Sequence, residues 1–392
     1  MLPDLGIIRE KCFRFIQNSK TNPFSYKFST HSSPSPFSLC FAVFGLNLIN
    51  ELTLGGDERT SLSKRIRAGL DELRKTRKAQ GIDLTNDKSY LQLLTFSLTA
   101  LNIIGALEVD ALEDHCQPLM TNDVSANLDR RKVHLGVPQS GNYAMFMAII
   151  LLHATQYLNQ DQSSKIDEWL AYHLKHMNRF GFWGDDSSMS HLQFQNGYHQ
   201  YEIIHYLGAE NPLAEDAADA VASLADSRGR FAPYPGGGGC YDYDAVAIIT
   251  SGGEETISRH RKLLSGTCSS IIRDQNEDGG FCESKLVRPR SIGKLIMALS
   301  HAASAKGKAR IERLRQALTL QRPKHDRVNG AEHWTSCGYQ RGWDESNLWD
   351  SYFRMSAIAR IALALDPDAG NQWSFVDYPG IGYHEILRRQ DG

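Results

Sequence analysis

Apolar positions along the chain recur at helical spacing almost throughout, and strand-like alternation is nearly absent. The pattern predicts helices near 5–18, 37–52, 59–79, 88–106, 108–120, 142–158, 163–177, 192–208, 212–227, 241–252, 255–274, 291–305, 308–320 and 346–365. YLQLLTFSLTALNIIGAL (90–107) and NYAMFMAIILLHATQYL (142–158) are apolar on nearly every face, which predicts burial on most sides. SSKIDEWLAYHLKHM and KARIERLRQALTL are amphipathic, as outer helices of a packed array are.

The joints between helices repeat. MNRFGFWGDD, DSRGRFAPY and DQNEDGGFCE each end an amphipathic helix with a Gly-x-aromatic turn: Gly181 and Trp183, Gly229 and Phe231, Gly279 and Phe281. The aromatic positions are 48 and 50 residues apart, with fainter echoes at Phe24 and Trp334. A period near 50 with this content means an array of helical pairs that stack, because one pair cannot bury its own apolar face. Six or seven pairs fill the chain, enough to close a ring with apolar helices inside and amphipathic ones outside. The alternative is an open solenoid, and helices apolar on so many faces favour closure. No linker divides the chain, so one domain over 1–392 is expected.

Composition narrows the function classes. With 41% hydrophobic and 22% charged residues and a formal net charge of −2, a large core is possible. Nucleic acid and an anionic membrane surface are disfavoured as main partners, since both need a basic field. Seven cysteines without a CxxC pair read as reduced thiols in a cytoplasmic-type compartment. The start, MLPDLGIIREKCFRF, lacks a basic region followed by an apolar run, so no signal peptide is expected. The longest apolar run, LCFAVFGLNLI (39–49), is too short to span a bilayer, so no integral membrane segment is expected.

QNEDGGF (275–281) has the form Q-x3-G-x-aromatic and resembles the QW repeat of the terpenoid cyclase and protein prenyltransferase superfamily. The other two joints have Ala225 and Met177 where that repeat has glutamine. The resemblance implies an all-α fold, an α/α toroid. It also gives a place to the segment GRFAPYPGGGGCYDYDAVAII (229–249). In class II terpenoid cyclases a D-x-D-D-T-A motif opens an inner helix after such a turn, and its middle aspartate protonates an alkene or epoxide. Asp242 matches the first aspartate and Asp244 the middle one, whereas Ala245 and Val246 stand where the family has aspartate and threonine. The resemblance thus implies catalytic roles for Asp244 and Asp242.

Read from the residues alone, carboxylates two apart on a helix do not share a face. Asp242 fits an N-cap, and Asp244 fits either the first turn, stabilised by the helix dipole, or an apolar cavity in which desolvation makes it a general acid. The four glycines before them read as a flexible lid, with phosphate binding as the weaker alternative. The candidate substrate contacts are Tyr198, His199, Glu202, Tyr241, Glu283, Trp349 and Arg354. Of these, Tyr198 and Glu202 share a helical stripe with His205. Trp349 pairs with Phe353 as core, and Arg354 is four residues from Asp350, as an ion pair would be. Lys285, Arg288 and Arg290 follow the third turn, and His134, Ser140 and Asn142 stand at another mouth position. Cys240, Asp242 and Cys282 lie in comparable turns, but the Asp-x-Cys order of a prenyltransferase zinc site is absent, so no metal and no cofactor are expected.

Three functions remain. One is proton-initiated cyclisation of an isoprenoid or similar polyene by Asp244. A second is a carbohydrate-active helical barrel, whose carboxylates, tyrosines and arginines would suit sugar. The third is a prenyltransferase-like subunit, against which the absence of an obvious exposed apolar stripe counts. The expected partner is a small apolar or amphiphilic molecule, and the oligomeric state stays open.

Overall fold

Four of the six buried helices begin with a side chain that accepts an otherwise orphaned backbone N–H. Ser35, Asp87, Ser190 and Asn347 cap them in this way, with Pro36 at the first helical position of one. The computed structural model describes residues 4–287, 291–320, 327–329, 340–342 and 344–384. Arg288, Arg290, Trp334, Cys337 and Trp343 lie outside the described residues.

In chain order the helices are α1 Leu5–Asn18, α2 Pro36–Leu48, α3 Gly56–Ala79, α4 Lys88–Ile103, α5 Glu113–Cys116, α6 Val124–Arg130, α7 Ser140–Tyr157 and α8 Ser163–Lys175. They continue as α9 His191–Tyr206, α10 Ala214–Ala222, α11 Gly239–Thr250, α12 Glu254–Arg273, α13 Ile292–Ala303, α14 Gly307–Leu320 and α15 Leu348–Leu365. The fold is therefore all-α in class. Two minimal antiparallel strand pairs accompany the helices, Lys20–Asn22 with Ser25–Tyr26 and Arg327–Asn329 with Gln340–Gly342.

Six helices, α2, α4, α7, α9, α11 and α15, are buried over most of their length. Successive members pack against each other, α2 on α4, α4 on α7, α7 on α9, α9 on α11 and α11 on α15, and α15 packs back on α2. Amphipathic helices back them: α1 on α2, α3 on α4, α8 on α7, α10 on α11 and α12 on α15. One continuous apolar core runs from Leu5 to Tyr383. The helices α13 and α14, expected to belong to the repeating array, instead pack mainly on each other as a hairpin between α12 and α15.

The repeated joints are the same turn three times. The N–H of Asn178 donates to the Phe182 carbonyl at 2.7 Å, that of Asp226 to Arg230 at 2.8 Å, and that of Asn276 to Gly280 at 2.9 Å. Gly181, Gly229 and Gly279 all have positive φ, between 73° and 90°, which is why glycine recurs there. Gln275 Nε2 donates to the Gly279 carbonyl at 2.8 Å and to Ile8 at 3.2 Å, tying this joint to α1.

The C-terminal segment closes the far ends of the buried helices. Ser374 N–H bonds the Leu48 carbonyl at 3.0 Å, Asn102 bonds Asp377 at 2.6 Å, and the Tyr378 hydroxyl meets His153 Nδ1 at 3.0 Å. Gly380 and Tyr383 donate their N–H groups to Glu202 Oε1 at 3.3 and 3.2 Å.

Two glycine variants separate backbone strain from packing. At Gly279 φ is +90° and an added Cβ would run into the Lys11 carbonyl, whereas Gly253 has φ of +89° and open space. Urea unfolding is expected to show a loss of about 1–2 kcal/mol for Gly253→Ala and a clearly larger one, about 3 kcal/mol or more, for Gly279→Ala. Equal losses would mean that α1 does not pack on this joint.

Candidate functional site

The segment 229–249 holds two aspartates on opposite faces of α11. Gly238, not Asp242, is the helix N-cap, and Asp242 falls in the first turn. Its carboxylate is fully buried between the joint that precedes α11 and the helix α15, where Arg230 Nη1 reaches Oδ2 at 2.6 Å and Arg354 Nη1 at 3.2 Å. The Phe231 N–H donates to Oδ1 at 2.9 Å. Burial pushes the Asp242 carboxyl up, and the two guanidinium groups and this N–H oppose the push.

Both arginines are spent on structure. Arg230 also bonds the Ser270 hydroxyl at 3.0 Å and pairs with Asp274. Arg354 donates to the carbonyls of Cys282 at 3.2 Å and Glu283 at 2.7 Å, and weakly to that of Gly236. The ion pair expected between Asp350 and Arg354 is replaced by the bond to Asp242. Asp350 instead accepts from Asn347 at 2.7 Å and from the Gly239 N–H at 3.3 Å. Asp242 and Arg354 thus stand in the support of the loop. Sequence reasoning missed Arg230, although it is the central residue of its own Gly-x-aromatic joint.

The glycine run is not a lid. Residues 231–239 are all buried. Gly237 has φ of +70° and lies so close over the Asp242 carboxylate that a Cβ would overlap it. The small residues let the chain wrap a buried charge.

Asp244 points elsewhere. It is four residues from Cys240, hence on the same face, and is 2% exposed with Oδ2 lacking any hydrogen-bond partner. Burial first, then the charges of Glu202 and Asp242, raise its carboxyl well above the usual range. The site thus favours the neutral form of the acid. Tyr198 and Tyr241 are near enough to feel its charge, and further aromatic side chains pack on one another in the same core. Tyr243 meets Tyr198 with hydroxyls 3.2 Å apart and packs on Phe353 at 5.4 Å. Phe353 packs on Trp349 at 5.0 Å, and Trp349 on Phe41 at 4.8 Å.

The remaining candidates fall into two groups. Tyr198 donates to Glu202 Oε2 at 2.7 Å, and Glu202 anchors the C-terminal segment, so this pair belongs to the closed end. A cavity of about 60 Å³ there, lined by Tyr198, Glu202, Arg360 and Tyr383, has room for little more than water. Toward the N-terminal ends, His199 Nε2 takes a hydrogen bond from Asn142 Nδ2 at 2.8 Å. Its proton is then on Nδ1, which is buried without a partner, and burial followed by the nearby Lys88 charge pulls the imidazole down to about 3. Lys88, which sequence reasoning missed, is half-buried at the start of α4 with its ammonium pulled down by burial. Its signal was a cation at the N-terminus of an otherwise apolar helix, the end where the dipole disfavours it. Tyr241 is half-buried against Phe194 and Tyr234, and Tyr234 donates to Glu283 Oε1 at 2.7 Å.

Burial keeps the Cys240 and Cys282 thiols protonated, the latter pushed up to about 12, and Asp242 is already taken by two guanidiniums. Among the described residues the group with metal-ligand spacing is Asp71, Asp114 and His115. Arg67 and Arg74 neutralise it from the protein itself. His134 bonds Tyr172 at 3.0 Å and neighbours Asp129, away from Asp244.

No protein-family model and no curated protein matches this chain. A solved protein from Actinoplanes is similar over 92% of this chain and 100% of its own, at 12% identity and a TM-score of 0.47. A likeness of that degree carries no argument about fold or activity. No helix among the described residues is long and apolar enough to cross a membrane.

The two aspartates are expected to part company in stability. Asp242→Asn removes the charge that two buried arginines share, leaving Arg230 only Asp274, and should cost about 3–5 kcal/mol in urea unfolding. Asp244 has a raised folded pKa, so the stability it contributes is full below the ordinary carboxyl pKa and is lost as pH rises toward the folded value. Asp244→Asn removes that loss. The variant should match wild type near pH 4 and become progressively more stable than wild type as pH rises to 8. A stability difference independent of pH would show that Asp244 is an ordinary carboxylate.

Proposed function

We propose that the six buried helices close an α/α toroid and that the chain is a terpenoid-cyclase-like enzyme. Its substrate is an isoprenoid or related polyene, and its general acid is Asp244. The observation that carries the reading is the buried Asp244 carboxyl, held neutral and with Oδ2 free of any partner. Such a group keeps its proton at neutral pH and so is available as the acid; because its anion has no compensating donor it is a weak acid, and the transfer depends on stabilisation of the cation formed. The proton passes from the carboxyl to a terminal alkene carbon or epoxide oxygen. The cation so formed is attacked by an internal double bond, and loss of a proton elsewhere ends the cascade. Aromatic faces of Tyr243, Phe353, Trp349 and Phe41 suit a developing positive charge. Asp242 acts as a positioning residue by fixing the start of α11.

The half-buried Lys88, His199 and Tyr241, with buried Asn142 bonded to His199, support a second reading, a carbohydrate-active enzyme with a polar mouth. A substrate panel separates the two. Purified protein is incubated with squalene, its epoxide, linear polyprenyl diphosphates and neutral and acidic oligosaccharides, and products are resolved by mass spectrometry. Cyclised isoprenoid is expected from wild type, and at least about a hundredfold less from Asp244→Asn. The rate should hold through neutral pH and fall only as the raised Asp244 pKa is passed, because the acid form is the active one. Wild-type turnover by the variant, or cleavage of oligosaccharides alone, would overturn the cyclase reading.

A further inference from the structure

The hairpin of α13 and α14 is built inside out. On α13, Ile292, Ile296 and Leu299 fall on one stripe and are 80%, 61% and 43% exposed. On α14, Ile311, Leu314 and Leu318 do the same, at 51%, 38% and 66%. The opposite stripes carry small residues, Ala298 and Ala302 on α13 and Ala309 and Ala317 on α14, and these are the buried ones. A surface helix normally turns its large aliphatic residues inward. The stripe that the sequence reading did not find is therefore present, and it comprises six large aliphatic side chains.

The hairpin is fastened by its other side. The Glu312 carboxylate accepts the His191 N–H at 2.7 Å and the Leu192 N–H at 3.2 Å, capping α9 from outside the helix. Buried Arg313 bonds His191 Nε2 at 3.2 Å and the Leu224 carbonyl at 2.6 Å. Lys308 pairs with Asp185 at 2.7 Å. The aliphatic face is thus held in place at the N-terminal end of α9, near the end of α11 that carries Asp244.

Its charge is equally one-sided. Residues 291–320 contain six Lys or Arg and one Glu, in a chain whose net charge is −2. That single acid is Glu312, already committed to α9. Lys306, Arg310 and Arg315 are exposed. Aliphatic side chains bordered by cations, with no acid free among them, match the boundary between acyl chains and anionic headgroups.

We infer that the α13–α14 hairpin docks the protein on an anionic lipid bilayer, lying in the interface without crossing it. The overall charge argued against a membrane surface as partner, and the hairpin reverses that locally. This inference stands on the hairpin alone and does not depend on the activity of Asp244.

Co-sedimentation of the full chain with phosphatidylcholine vesicles, with and without phosphatidylglycerol, tests it. Wild type is expected to sediment with the anionic vesicles, less so at high salt, and to stay largely in solution with the neutral ones. Ile296→Glu/Leu318→Glu should bind at least about tenfold more weakly, with an unchanged circular dichroism spectrum because both side chains are exposed. A Leu314→Trp variant should shift its emission to the blue on adding anionic vesicles, which reads insertion without disrupting the face. Wild type remaining in solution, or equal binding by the double glutamate variant, overturns the proposal. So does a mass that doubles with protein concentration while vesicles are ignored, which would make the face a protein interface.

Discussion

Everything around the candidate site depends on one buried carboxylate, that of Asp242, shared between Arg230 and Arg354. Charges taken this far from water are costly unless each finds its counterpart. Here the counterparts come from three parts of the chain: a joint between helices, the start of α11 and the middle of α15. Meeting at one point, they fix the path of residues 231–239. The glycine run is what lets the backbone come close enough to enclose the charge. Because Asp242 sets the first turn of α11, it also sets the direction in which Asp244 points, two residues on and on the other side of the helix.

The two aspartates show how one turn of helix separates stability from reactivity. Asp242 has donors on both oxygens, and these favour its anion against the cost of burial. Asp244, buried on the other face, has an oxygen with no donor at all, and burial favours its protonated form. The far end of the buried helices is shut by the C-terminal segment through Glu202, leaving the N-terminal ends as the side from which a molecule would approach. The basic, aliphatic hairpin of α13 and α14 flanks that side.

Much of this was legible in the sequence. Helical periodicity located the buried helices, because side chains apolar on every face have nowhere to go but inward. The three joints were visible through their glycines and aromatics. Their Asn178, Asp226 and Asn276, each three residues before the glycine, were equally readable and would have sharpened the turn. The separation of Asp242 from Asp244 followed from helical spacing. What spacing could not supply was long-range pairing: that Arg354 reaches Asp242 rather than its neighbour Asp350, or that Glu202 binds a segment nearly two hundred residues away. The glycine run read as mobile because composition registers backbone freedom and not the object around which the backbone is wrapped. The hairpin read as an ordinary outer helix because amphipathicity gives the stripe and not which side faces the protein.

The account's central claim is that Asp244 is a neutral carboxylic acid at physiological pH. The direct test is the infrared difference spectrum between wild type and Asp244→Asn at pH 7. A protonated-carboxyl C=O band present in wild type and missing from the variant is the predicted result, and comparison with Glu202→Gln keeps the two buried acids apart. If the difference shows only the loss of carboxylate bands, Asp244 is ionised and cannot be the acid.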